Sequence, residues 1–169
     1  MGREIRRVPE NWEHPTQSDK YGAPKQPMYD RTFDECFSEW LANFDRIRSG
    51  NMTEFEHECY PNGLADWLQD EGMPPDPAYY RPWKDDEATW YQLWETVSEG
   101  TPVSPPFATK EELIDYLAKN GDFWDQKRGD LPWGHKRAER FVNGPGWAPS
   151  FVIKHGKFMS GVEGDAISE

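Results

Sequence analysis

TWYQLWETVSEGTPVSPPFATKEELIDYLAKNG, residues 89–121, is the stretch around which the reading of the whole chain turns. Trp90, Leu93, Trp94 and Val97 recur at steps of three and four, the spacing of one apolar helical face, and Gly100 offers a C-terminal stop. A second helix opens where Thr109 can cap and Glu112, three residues on, can reach back to the Thr109 N–H. Leu113, Tyr116 and Leu117 then form its buried stripe, and Asn120-Gly121 end it. Between the two, Pro102, Pro105 and Pro106 remove donors and fix φ, so residues 101–107 read as a rigid connector. The spacing therefore predicts helix, connector, helix.

Working outward, the 169-residue chain is long enough for one domain with a real core. Hydrophobic residues make up only 36%, but aromatics reach 15%, and large rings let few side chains bury much area. The expected architecture is α+β: a mainly helical single domain over residues 31–161 with a small antiparallel sheet. Residues 1–30, with Pro9, Pro15, Pro24 and Pro27, read as an extended arm pinned by Trp12, Tyr21 and Tyr29, with one short strand at Ile5–Val8. Residues 162–169 read as a frayed tail.

Thr32–Ser49 carries the longest period: Phe33, Cys36, Phe37, Trp40, Leu41 and Phe44 share a face, and Thr32 with Glu35 forms a capping box. Pro61-Asn62-Gly63 separates two short helices within residues 52–72. Near the C-terminus, Phe151–Ile153 and Lys157–Met159 flank His155-Gly156 as a tight hairpin. Trp40, Phe44, Trp67, Trp90, Leu93, Leu113 and Leu117 are the expected core.

Net charge is −12 and uneven: residues 31–107 carry 16 acidic and 5 basic side chains, while both flanks are close to neutral. Such a field repels phosphate backbones and anionic membranes and suits a basic partner. The same acids can equally serve only to keep an aromatic-rich chain in solution. No apolar run approaches a membrane span, and the N-terminus has no apolar core behind its charges, so a cytoplasmic protein with Cys36 and Cys59 reduced is expected.

Neither a phosphate-binding glycine loop nor a zinc-protease or nucleophile-elbow motif occurs. Cys36, His57 and Cys59 lack zinc-module spacing, so no metal and no cofactor is expected. Candidate binding residues are the hydroxyl-bearing connector (Ser98, Glu99, Thr101, Ser104) beside Trp90 and Trp94. To these we add His135 and Arg137 in the chain's one basic cluster, and Asp85, Asp86 and Glu87 at the expected start of the first helix. Each has a plain alternative: a connector packed on the core, an exposed helix face, acids at a helix dipole.

RRVPENWEHP at 6–15, PMYD at 27–30, ATWYQLWETVSEGTPVSPPFATKEEL at 88–113 and the late GWAPS and FMSGVE resemble a family of small uncharacterised proteins encoded by tailed bacteriophages and prophages. The resemblance implies a phage setting and a role in the bacterial cytoplasm; it carries no catalytic residues over. Three functions stay open. One is a non-enzymatic accessory protein holding a host protein with a basic surface or a small-molecule ligand, in counter-defence or host takeover. The others are a small enzyme acting on a nucleotide-like metabolite, and a virion or assembly component.

Overall fold

The computed structural model describes residues 2–15, 17–18, 24–25, 27, 29–70, 72–96, 101–154 and 156–165. In chain order these form β1 (Arg3–Val8), β2 (Gln17–Ser18), β3 (Pro24–Lys25), α1 (Phe33–Arg48), α2 (Glu54–Cys59) and α3 (Leu64–Asp70). A 3-10 turn (Pro77–Tyr79) follows, then β4 (Trp90–Glu95), α4 (Lys110–Asn120), α5 (Phe123–Arg128) and α6 (His135–Asn143). β5 (Trp147–Ala148), β6 (Phe151–Lys154), β7 (Lys157–Ser160) and α7 (Gly161–Asp165) complete the chain. The fold is α+β, as expected, and its contacts gather into two compact units: Met1–Met28 with Trp83–Glu169, and Tyr29–Pro82.

In the first unit the expected helix over residues 89–100 is corrected. Trp90–Glu95 is a strand, and Gln92, Leu93, Trp94 and Glu95 are all buried. A strand covered on both faces has no polar alternation, so its apolar residues fall at any spacing, including three and four. What holds it is pairing on both edges. β1 runs antiparallel to it from Arg3↔Glu95 through Ile5↔Leu93 to Val8↔Trp90. On the other edge the proline segment closes the ladder: Val103 N–H donates to Leu93 O at 2.8 Å, and Tyr91 and Phe107 exchange both backbone bonds at 2.8 Å. Prolines are tolerated there because the segment lies at a sheet edge, where a missing donor costs nothing. The sheet order is β4-β1-β5, so the N-terminal segment, expected as an arm with one short strand, supplies the middle strand.

Ile5, Tyr91 and Leu93 face α4 and α6, whose Leu113, Ile114, Leu117, Ala138, Phe141 and Val142 make the core with Val103, Trp133 and Ala148. α4 begins with the expected reciprocal cap: Glu112 N–H donates to Thr109 Oγ1, and Thr109 N–H to Glu112 Oε2, both at 3.2 Å. It ends at Gly121, whose φ of 70° and close approach to Asp125 leave no room for a Cβ. The sheet's second face is covered by residues 9–15: the Trp12 ring meets Trp83 edge-on at 4.4 Å, and His14 meets Trp94 at 4.9 Å. The expected C-terminal hairpin forms from β6 and β7, with His155 outside the described residues. Where a frayed tail was expected from residue 162, α7 buries Val162 and Gly164.

The second unit follows its sequence closely. α1 opens on the Thr32–Glu35 capping box, and a ladder of rings runs along it: Phe33 on Phe37 at 5.4 Å, Phe37 on Trp40 at 6.1 Å and Trp40 on Phe44 at 5.2 Å. Trp67 of α3 closes on Trp40 at 5.9 Å. Trp67 is buried, while Trp40 and Phe44 are half-buried, as is Trp90 of the first unit. Arg46 clamps Glu56 of α2, with Nη1 to Oε2 at 2.7 Å.

Candidate functional site

The connector hydroxyls singled out in the sequence are spent on structure. Ser104 is buried; its Oγ accepts the Leu93 N–H at 3.0 Å and donates to Pro105 O, standing in for a backbone acceptor the proline segment does not present. Thr101 donates to Glu95 Oε1 at 2.8 Å. Trp94 is fully enclosed, with Nε1 on Gln92 Oε1 at 3.1 Å and the Arg6 guanidinium over its ring at 4.8 Å. Burial, and then the nearby Arg6 charge, pull the His14 imidazole on the same ring down to about 4. Ser98 and Glu99 lie outside the described residues. Asp85, Asp86 and Glu87 are exposed in a turn leading into β4 and not at a helix start; Glu87 accepts the Lys84 N–H at 2.8 Å. The structure does not bring these residues together with His135 and Arg137.

A cleft of about 510 Å3 does lie beside Arg137. Its floor is a charged pair: Arg3 Nε donates to Asp122 Oδ2 at 2.6 Å, both side chains almost fully enclosed. Asp122 caps α5, accepting the Trp124 and Asp125 N–H groups at 2.8 and 3.0 Å. Asp125 accepts from Trp133 Nε1 at 2.7 Å and pairs with Arg128 at 2.9 Å, and Arg128 reaches Asp130 at 2.6 Å. The Asp130 carboxylate is the first cause holding the Arg128 guanidinium above its usual range. A signal for this site was present: Asp122 follows Gly121 and is itself followed three residues later by Asp125, the pattern of a reciprocal cap.

Arg137 breaks the pattern. It is half-buried in the cleft wall, and among the described residues it has no hydrogen-bond or ion-pair partner. It also lines a shallower hollow of about 340 Å3 with Gly134, His135, Lys136 and Arg140. That hollow sits at the start of α6, where Gly134 provides no side-chain cap and the first turn holds no acid. Uncapped N–H groups and the positive helix end normally attract acidic residues; here His135, Lys136 and Arg137 stand there instead. His135 is exposed, 3.8 Å from Glu139 and 4.0 Å from Asp115. The cleft's Asp122, Asp125 and Asp130 are each held by caps or arginines, so the group left to meet a ligand is the Arg137 guanidinium.

No group of three His, Cys, Asp or Glu side chains suited to a metal ion occurs among the described residues. No described helix is long and apolar enough to cross a membrane. Comparison with protein-family models, curated proteins and solved structures gave no match to this chain.

Proposed function

We propose that this chain is a non-enzymatic binding protein that holds a small anion-bearing molecule, through a phosphate or carboxylate group, at Arg137. Following the motif resemblance, we place it as a phage- or prophage-encoded accessory protein of the bacterial cytoplasm. One observation carries the binding reading: a half-buried guanidinium without a partner among the described residues, at a helix start crowded with cations and lacking a side-chain cap. An anion there would gain charge-assisted hydrogen bonds and relieve repulsion among Lys136, Arg137 and the helix dipole together. Calorimetric titration with inorganic phosphate, nucleoside phosphates and dicarboxylates tests it. Binding that weakens at least about tenfold in Arg137→Gln, the loss of one charged hydrogen bond, is expected. Equal affinity in that variant, or no binding by any of these probes, overturns it. Turnover of a bound phosphate ester would assign an enzyme instead.

A second reading rests on charge. The unit Tyr29–Pro82 carries 12 acidic against 4 basic side chains, and Asp85–Glu87 add three exposed acids. A host protein with a basic surface would be steered to them, with association slowing as rising salt shortens the screening length below the roughly 8 Å of physiological buffer. Reversal of Asp85, Asp86 and Glu87 to lysine should slow capture further. A rate that is the same across salt and in the triple reversal would leave the acids a solubilising role only.

A further inference from the structure

The cleft beside Arg137 holds a second charged side chain that the fold leaves unmatched. Glu163 of α7 lines it, and α7 begins with a reciprocal cap: Ser160 N–H donates to Glu163 Oε2 and Glu163 N–H to Ser160 Oγ, both at 3.2 Å. The cap engages one carboxylate oxygen and leaves Oε1 without a partner, and among the described residues Glu163 has no cation. Arg137 and Glu163 line one cleft without pairing with each other. The other charges there are matched: Arg3 holds Asp122, and Arg128 holds Asp125 and Asp130. In all, three arginines face four carboxylates, an excess of one negative charge.

Granted the anion site at Arg137, on which this rests, we infer that the ligand is a zwitterion of the amino-acid class, its carboxylate on Arg137 and its ammonium on Glu163 Oε1. A plain anion satisfies Arg137 but deepens the negative excess and leaves Glu163 unmatched, and a dianionic phosphate does so more strongly. A molecule of net charge zero meets both groups and leaves the balance as it was. The guanidinium fork suits a planar carboxylate, and an ammonium group suits a single carboxylate oxygen. The rest of the lining selects the side chain. Leu131 is 87% exposed, and Trp133 and Val162 line the cleft with it, so an apolar side chain gains cover there. A volume of about 510 Å3 falls within the roughly 300–1,000 Å3 of small-molecule sites and admits a free amino acid or a dipeptide.

Calorimetric titration of the full chain tests this with phenylalanine and leucyl-phenylalanine, each beside the analogue in which hydrogen replaces the ammonium group. At least one zwitterion should bind about threefold to tenfold more tightly than its analogue, the worth of a charged hydrogen bond to a solvent-facing carboxylate. Glu163→Gln should remove that margin, because glutamine keeps the cap of α7 but not the charge. The same variant should bind the analogue as well or better and melt as the parent chain does. Arg137→Gln should weaken zwitterion and analogue alike. A preference between dipeptide and amino acid supports the assignment and sets the separation of the two charges. Analogues that bind as tightly as their zwitterions, yet lose affinity in Arg137→Gln, overturn the zwitterion and leave the anion site standing. A margin that survives Glu163→Gln overturns it too, as does no binding by either zwitterion, the anion site then standing or falling with phosphate. Arg137→Gln without effect on any probe overturns both.

Discussion

α1 and β4 display the same aromatic spacing and adopt opposite structures. Phe33, Phe37, Trp40 and Phe44 step by three and four along sixteen helical residues; Trp90, Leu93 and Trp94 step likewise along six extended ones. The difference lies in what flanks and faces each run. α1 has a reciprocal cap, no proline and exposed acids along its outer side, so local preferences and the apolar stripe agree. β4 has no cap, is followed by three prolines, and meets apolar neighbours on both faces. Spacing alone reports which residues are apolar. It reports a helix only when the opposite face is polar.

Truncation should separate the two regions most strongly. Trp94→Ala, at a fully enclosed site, should cost about 3–5 kcal/mol in urea denaturation, against about 1–2 kcal/mol for half-buried Phe37→Ala. Equal losses would mean that α1 packs as tightly as β4 and would erase the contrast. Next, Leu117→Ala in the α4 stripe should cost roughly 2–5 kcal/mol through a core cavity. Thr109→Ala and Thr32→Ala should each cost only about 1 kcal/mol, because both remove a cap of the same design. A cap variant as damaging as Leu117→Ala would show that helix starts, not cores, limit stability here.

Acid should act on the two regions in separate windows. His14, beside Trp94, has its pKa lowered from 6.5 to about 4 by burial and then by Arg6. The folded state thus binds fewer protons than the unfolded between those values. Its contribution is complete above pH 6.5, drains as pH falls toward 4, and changes no further below. Glu56 is lowered from 4.5 to about 2, first by the Arg46 clamp and then by the Thr53 N–H, so its contribution holds above 4.5 and is lost as pH falls through 2. Melting curves of His14→Gln should flatten between pH 6.5 and 4 and leave the lower window intact. Glu56→Gln should do the reverse, and a shared window for both variants would contradict this assignment.

α1, α4 with its cap, the two short helices around residue 62 and the C-terminal hairpin were legible because each is specified by residues next to one another. Thr109 and Glu112, for example, fix a helix start within four positions. β4 was not, since its neighbours are Arg3–Val8 and residues 101–107, and a ladder between distant segments leaves no period in either. The cleft shows the same division. Arg137 and its basic turn could be read from the sequence, whereas Arg3 and Asp122 lie 119 positions apart and only the sheet joins them. The connector hydroxyls misled for a related reason. A serine beside prolines looks available for a ligand until a strand N–H is found bonded to it.

The position of β1 sets an order on assembly. It is made well before both of its partners, β4 and β5. Until β4 and then Asp122 emerge, Val8, Ile5 and Arg3 have neither sheet nor carboxylate to meet, while the second unit, built from neighbouring helices, can already close. β1 is therefore secured only after the second unit can close, and the nascent chain carries it as an unpaired strand until β4 emerges.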